Sequence, residues 1–129
     1  MKTAIFYFTG TGNNLRTAEK LKEELGETVL FPFHHLKENK KIDPSFTHLI
    51  FCVPSYYSHI PPFVRECLEN VEFTKTQQIV TIVGCAGNRG RATEDIRECI
   101  EACGKKVDGE CIHQIIFCLI MHFLRFIKS

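Results

Sequence analysis

The chain has 129 residues, 44% of them apolar, with a formal net charge of +1 and a pI of about 7.6. That length suits one domain around one core, and the composition is neither that of a disordered tail nor that of a repeat array. With its basic residues scattered and its charge near zero, the chain has no field that would steer it to nucleic acid or a membrane.

The elements alternate along the chain. Lys2–Phe8 is apolar and rich in strand formers; it reads as a first strand and is too short for the apolar region of a signal peptide. Asn14–Leu25 places Leu15, Ala18, Leu21 and Leu25 on one helical face, with Gly26 as its stop. Thr28–Phe31 is a short strand ended by Pro32, and the polar stretch Phe33–Pro44 has room for only a brief helix. Thr47–Val53 is a continuous apolar run, as a parallel strand buried on both faces requires. Pro61 and Pro62 open a helix carrying Val64, Cys67, Leu68 and Val71 on one face. Gln78–Val83 is another buried strand. Arg91–Cys103 is a helix with Ile96, Cys99, Ile100 and Cys103 inward, stopped by Gly104.

The remainder holds a fifth strand and a closing helix whose boundary the sequence does not mark. The apolar stretch Ile112–Ile127 is broken by His113, Gln114, His122 and Arg125. It falls short of the roughly 20 residues that span a bilayer, so no membrane span is expected. The seven cysteines (52, 67, 85, 99, 103, 111 and 118) include no CxxC pair and no zinc-finger spacing. They read as buried, reduced thiols of a cytoplasmic protein.

Five strands alternating with helices predict an α/β fold, a doubly wound parallel sheet. Ligands of such sheets sit beyond the carboxyl ends of the strands. The stretches to examine are therefore Thr9–Asn14, Pro54–Ile60 and Gly84–Gly90. In the first, Thr9-Gly10-Thr11-Gly12-Asn13-Asn14 lies between a strand and a helix. Its glycines allow a tight turn with inward N–H groups, the following helix adds its N-terminal N–H groups and positive dipole end, and the threonines add hydroxyl donors. Together they make a phosphate cradle without a lysine. It is neither the ATP-binding loop, which ends in Gly-Lys-Ser/Thr, nor the three-glycine dinucleotide fingerprint.

The run Tyr7-Phe8-Thr9-Gly10-Thr11-Gly12-Asn13-Asn14 resembles the FMN-phosphate loop of flavodoxins, and the spacing to the later loops is similar to theirs. The resemblance implies a flavodoxin-like five-stranded parallel sheet of order 2-1-3-4-5 over residues 1–129. It also implies that Thr9, Gly10, Thr11, Gly12, Asn13 and Asn14 hold the FMN phosphate, Asn14 standing where a threonine is usual. Pro54, Ser55, Tyr56, Tyr57, Ser58 and His59 would lie against one face of the flavin ring, with Tyr56 or Tyr57 stacked on it and His59 at its edge. Gly84, Cys85, Ala86, Gly87, Asn88 and Arg89 would cover the other face and the pyrimidine edge. These two loops contain no Asp or Glu, and Arg89 is cationic. With the near-neutral net charge, that leads to the expectation of a less negative potential than in acidic flavodoxins. The function implied is electron transfer through bound FMN between redox partner proteins, with no nucleic-acid partner.

Two rival readings remain at this stage. Cys85-x5-Arg91 between a strand and a helix is the layout of a cysteine-dependent phosphatase loop. Ala92 stands there where a supporting Ser or Thr is usual, and neither Asp95 nor Asp108 is an evident general acid. The other rival is a flavin-free interaction module on the same fold.

Overall fold

The computed structural model describes residues 2–8, 13–84 and 90–113, the side chains of Asn13 and His113 excepted. The elements in chain order are β1 (Thr3–Tyr7), α1 (Asn13–Leu25), β2 (Thr28–Pro32), α2 (His35–Glu38), β3 (His48–Pro54), α3 (Pro62–Leu68), β4 (Gln78–Gly84), α4 (Ala92–Ala102) and β5 (Gly109–His113). The five strands form one all-parallel sheet in the order β2-β1-β3-β4-β5. Fold class and strand order are those expected. The single turn of α2 fills the stretch in which only a brief helix was predicted, and β5 lies where no boundary was legible. The closing helix predicted within Ile112–Ile127 falls largely on residues 114–129, outside the described residues.

Alternation along the strands divides the apolar residues between two faces. Ala4, Phe6, Leu49, Phe51, Val53, Ile79 and Val83 share one core with Val64 and Leu68 of α3 and with Ile96 and Ile100 of α4. Ile5, Ile50, Cys52, Val80 and Ile82 share the other with Ala18, Leu21 and Leu25 of α1. The register sets Phe31, Phe6 and Phe51 opposite one another on three adjacent strands. Their rings stack at centroid distances of 5.3 and 5.2 Å. Phe33 and Phe73 close on Phe51 at 5.9 and 6.3 Å.

Polar contacts fix the edges. The Lys40 ammonium donates to the carbonyls of Glu66 and Cys67, and the Cys103 thiol donates to that of Leu68. The last carbonyls of α3 are thereby satisfied where no glycine ends the helix. Asp108 pins the start of β5: the Ile79 N–H donates to its carboxylate at 2.8 Å, and its own N–H donates to the Ile79 carbonyl at 2.8 Å. Arg97 of α4 makes a two-pronged pair with Glu110 at 2.5 and 2.8 Å, tying the edge strand to the helix above it.

All five described cysteines are free. Cys52 and Cys67 are buried as expected, but Cys99, Cys103 and Cys111 are only partly covered. The latter positions lie where α4 and β5 reach the margin of the sheet. Burial pushes the Cys52 thiol from its ordinary 9.0 up to about 12. Burial also raises Cys67, Cys99 and Cys111. These thiols stay protonated in the folded chain at pH values that ionise them in the unfolded one. Their contribution to stability is complete below about pH 9 and is lost as pH climbs toward 12. Urea unfolding at stepped pH is expected to show stability falling above pH 9, and Cys52→Ala is expected to flatten that fall. An unchanged slope in the variant would contradict it.

Candidate functional site

Because the strands are parallel and in register, the carboxyl ends of β1, β3 and β4 emerge together. Tyr7 pairs with Cys52, and Pro54 with Gly84. Beyond them the Phe8 N–H donates to the Cys52 carbonyl at 3.1 Å, and the Ser55 N–H to the Gly84 carbonyl at 2.9 Å. The second and third loops therefore start side by side. Asn13 begins α1, whose first turn carries no acidic residue, so the positive end of this 13-residue helix is unopposed there. Thr9, Gly10, Thr11 and Gly12 lie outside the described residues, as do Cys85, Ala86, Gly87, Asn88 and Arg89.

Asn14 joins the first and third of these regions. Its amide donates to the Phe8 carbonyl at 3.1 Å. Its Oδ1 lies so near β4 that a Cβ on Gly84 would meet it at 3.3 Å. The amide in the place of the usual threonine thus bonds the exit of β1 and lies close to that of β4. A side chain at position 84 would need the Asn14 amide to give way by a few tenths of an ångström.

The second loop folds back as a tight hairpin turn. The Tyr56 N–H donates to the His59 carbonyl at 2.7 Å, and the His59 N–H returns to the Tyr56 carbonyl at 2.9 Å. Tyr57 and Ser58 at its tip both have positive φ, 50° and 70°. Such turns prefer Asn-Gly, and a tyrosine there is strained by about 1 kcal/mol or more. The turn is held from behind. The Arg91 N–H at the start of α4 donates to the Ser58 carbonyl at 2.6 Å, and Gly90, at φ 55°, passes directly against Ser58. Tyr56 leans edge-on against Phe8, with centroids 6.1 Å apart, and Phe8 packs in turn toward Phe63. Tyr57 is 100% exposed. Of the two tyrosines, then, Tyr56 touches Phe8 edge-on while remaining 37% exposed, and Tyr57 stands clear of the protein.

His59 sits on a residue that the loop sequences do not reveal. Its Nδ1 lies 2.8 Å from Oδ2 of Asp95, a carboxylate only 5% exposed on the first turn of α4. The same oxygen accepts the Ile60 N–H at 3.3 Å, and Arg65 of α3 approaches the other oxygen to 3.7 Å. The second and third loops contain no acid in sequence, but the fold brings one to the back of the second. Arg91, the arginine of the phosphatase-like spacing, has its guanidinium drawn along α4 to Glu98 at 3.0 Å. Asp108 is committed to the backbone of Ile79. Among the described residues no cluster of three or more His, Cys, Asp or Glu side chains forms a metal site, and no helix is long and apolar enough to cross a membrane.

No protein-family model matches the sequence, and no curated protein does. Solved structures resemble the chain over most of its length. A candidate flavoprotein from Bacteroides uniformis aligns with TM-score 0.73 and 11% identity, covering 96% of this chain and 97% of that one. A flavoprotein in complex with FMN from Lactobacillus acidophilus aligns with TM-score 0.67 and 17% identity over 86% and 92%. The two-electron reduced flavodoxin of Megasphaera elsdenii aligns with TM-score 0.63 and 16% identity over 85% and 84%. With the strand order β2-β1-β3-β4-β5 and helices on both faces, the chain has the flavodoxin-like fold.

Proposed function

We propose that this chain binds FMN non-covalently at the carboxyl ends of β1, β3 and β4 and serves as an electron carrier between redox partner proteins. The observation that carries the reading is Tyr57: a fully exposed aromatic ring, on a strained turn, braced from behind by the start of α4. Strain of this kind persists only where surrounding contacts over-determine it. An unpacked ring so held is suited to lie on a flat ligand.

FMN, when bound, supplies the electron-accepting and electron-donating chemistry; the chain supplies binding and orientation. Thr9, Gly10, Thr11, Gly12, Asn13 and Asn14 would hold the phosphate at the unopposed N-terminus of α1. Pro54, Ser55, Tyr56, Tyr57, Ser58 and His59 would cover one ring face. Gly84, Cys85, Ala86, Gly87, Asn88 and Arg89 would cover the other face and offer N–H donors to the pyrimidine edge. The phosphate-cradle pattern of the first loop and the exposure of Tyr57 support the same end of the sheet, and the flavoprotein from Lactobacillus acidophilus, which shares the fold, is one in complex with FMN.

Titration of the protein with FMN, followed by quenching of flavin fluorescence, tests this. Saturable binding is expected. Tyr57→Ala is expected to weaken it about tenfold, on the order of 1.4 kcal/mol for one lost ring–ring contact. No binding, or an unchanged affinity in the variant, would contradict the reading.

A further inference from the structure

We infer that Asp95 is a positioning residue for this site: it fixes the tautomer of His59, so that the second loop presents a hydrogen-bond acceptor at Nε2 rather than a freely turning imidazole. This rests on the proposed function above for the identity of the ligand, but not for the tautomer itself. The side chains concerned come from three elements. His59 belongs to the loop after β3, Arg65 to α3 and Asp95 to α4.

The geometry leaves little choice. A carboxylate only accepts hydrogen bonds, so at 2.8 Å from Oδ2 the Nδ1 of His59 carries the proton. In the neutral ring the other nitrogen then bears a lone pair. The His59 side chain is 56% exposed, and its ring is anchored to the protein through Nδ1. The anchor itself is rigid. Asp95 is 5% exposed, also takes the Ile60 N–H, and is balanced by the Arg65 guanidinium and the positive end of α4. Among the described residues, Arg91 at the start of α4 is engaged by Glu98. A buried acid held by three partners, two of them on the ligand-facing loop, is more than a helix cap requires. It is the arrangement by which a carboxylate orients a histidine.

An acceptor at this position favours a ligand edge that carries an N–H or O–H donor. The imide N–H of a flavin is one such group. With the ring neutral, a bare phosphate or carboxylate would be disfavoured there.

Two measurements separate this inference from the cofactor reading. The first is the nitrogen NMR spectrum of His59 in flavin-free protein, followed to alkaline pH until the neutral ring is observed. The Nδ1–H tautomer is expected in the wild type. Asp95→Asn, which keeps the shape but offers an N–H donor, is expected to shift the population toward Nε2–H. A wild-type Nε2–H tautomer, or no shift in the variant, would overturn the inference. The second is the FMN affinity of Asp95→Asn and of His59→Gln, each first shown to keep the wild-type unfolding midpoint. Both are expected to bind at least fivefold more weakly than wild type. Full affinity in His59→Gln would overturn the role of His59 at the ligand even if the tautomer were as expected. Wild-type protein that takes up no FMN contradicts the cofactor reading instead, and the tautomer comparison still decides the assignment of Asp95.

Discussion

Gly90→Ala is expected to lower the unfolding midpoint by about 10 °C and to weaken FMN binding in the same variant. Two costs add at this position. The backbone stands at φ 55°, where a side chain is strained by about 1 kcal/mol. An added Cβ would also lie 2.1 Å from the Ser58 Cβ and 2.5 Å from its Cα. A Cα cannot swing aside as a flexible side chain can, so the second loop must move off the start of α4, at about 2 kcal/mol more. The sum, about 3 kcal/mol, corresponds to about 10 °C for a domain of this size. Gly26 provides the control. It also has positive φ, 78°, but a Cβ there meets nothing within 4 Å. Gly26→Ala should lose only the conformational part, about 1 kcal/mol, and bind FMN normally. Thermal melts and titrations of the two variants side by side check this. Equal losses would mean that the Gly90–Ser58 approach does not set the loop.

Phe51→Ala is expected to have the largest effect on stability, a loss of about 3–5 kcal/mol in urea unfolding with an unchanged slope. Phe51 is fully buried at the centre of β3, stacked on Phe6 and touched by Phe33 and Phe73. Removing its ring opens a cavity between the middle of the sheet and the helical layer, where strands on both sides are hydrogen-bonded and cannot collapse inward. Phe51→Leu, which refills most of that space, should cost about 1.5 kcal/mol or less. If the two variants lost equal stability, a packed aromatic ladder would not be what holds this face together.

The parts of the fold legible in the sequence are those whose burial leaves a local trace. β3 and β4 lie between two helical layers, so Leu49–Val53 and Ile79–Val83 read as unbroken buried runs. β5 is one of the two edge strands, and its sequence Gly-Glu-Cys-Ile-His spends Glu110 on Arg97 rather than on an apolar face. No periodicity marks it, and tertiary pairing with β4 alone makes it a strand. The hairpin at Tyr57-Ser58 is equally silent, because neither residue is one that such a turn favours and the contacts that impose it come from Gly90 and Arg91, more than thirty residues away.

The candidate site divides in the same way. The glycine-spaced first loop, the tyrosines and Gly84 are local signals, and the structure brings the exits of β1, β3 and β4 together as the parallel arrangement requires. Asp95 is not local: it meets His59 across 36 positions. One trace of it was available. Asp95 stands four residues before Cys99 and beside Ile96, an acid on the inward stripe of α4 where an apolar residue is expected. A buried acid of that kind needs a partner, and the sequence does not say which.

The visible absorption spectrum of the purified protein, taken before and after mixing with FMN and removing the unbound flavin, tests most directly whether the cap on the first βα junction and the two neighbouring loops receive this cofactor. A yellow protein that keeps its flavin through the separation is the expected result. Colourless protein that retains none, though folded by circular dichroism, would contradict it.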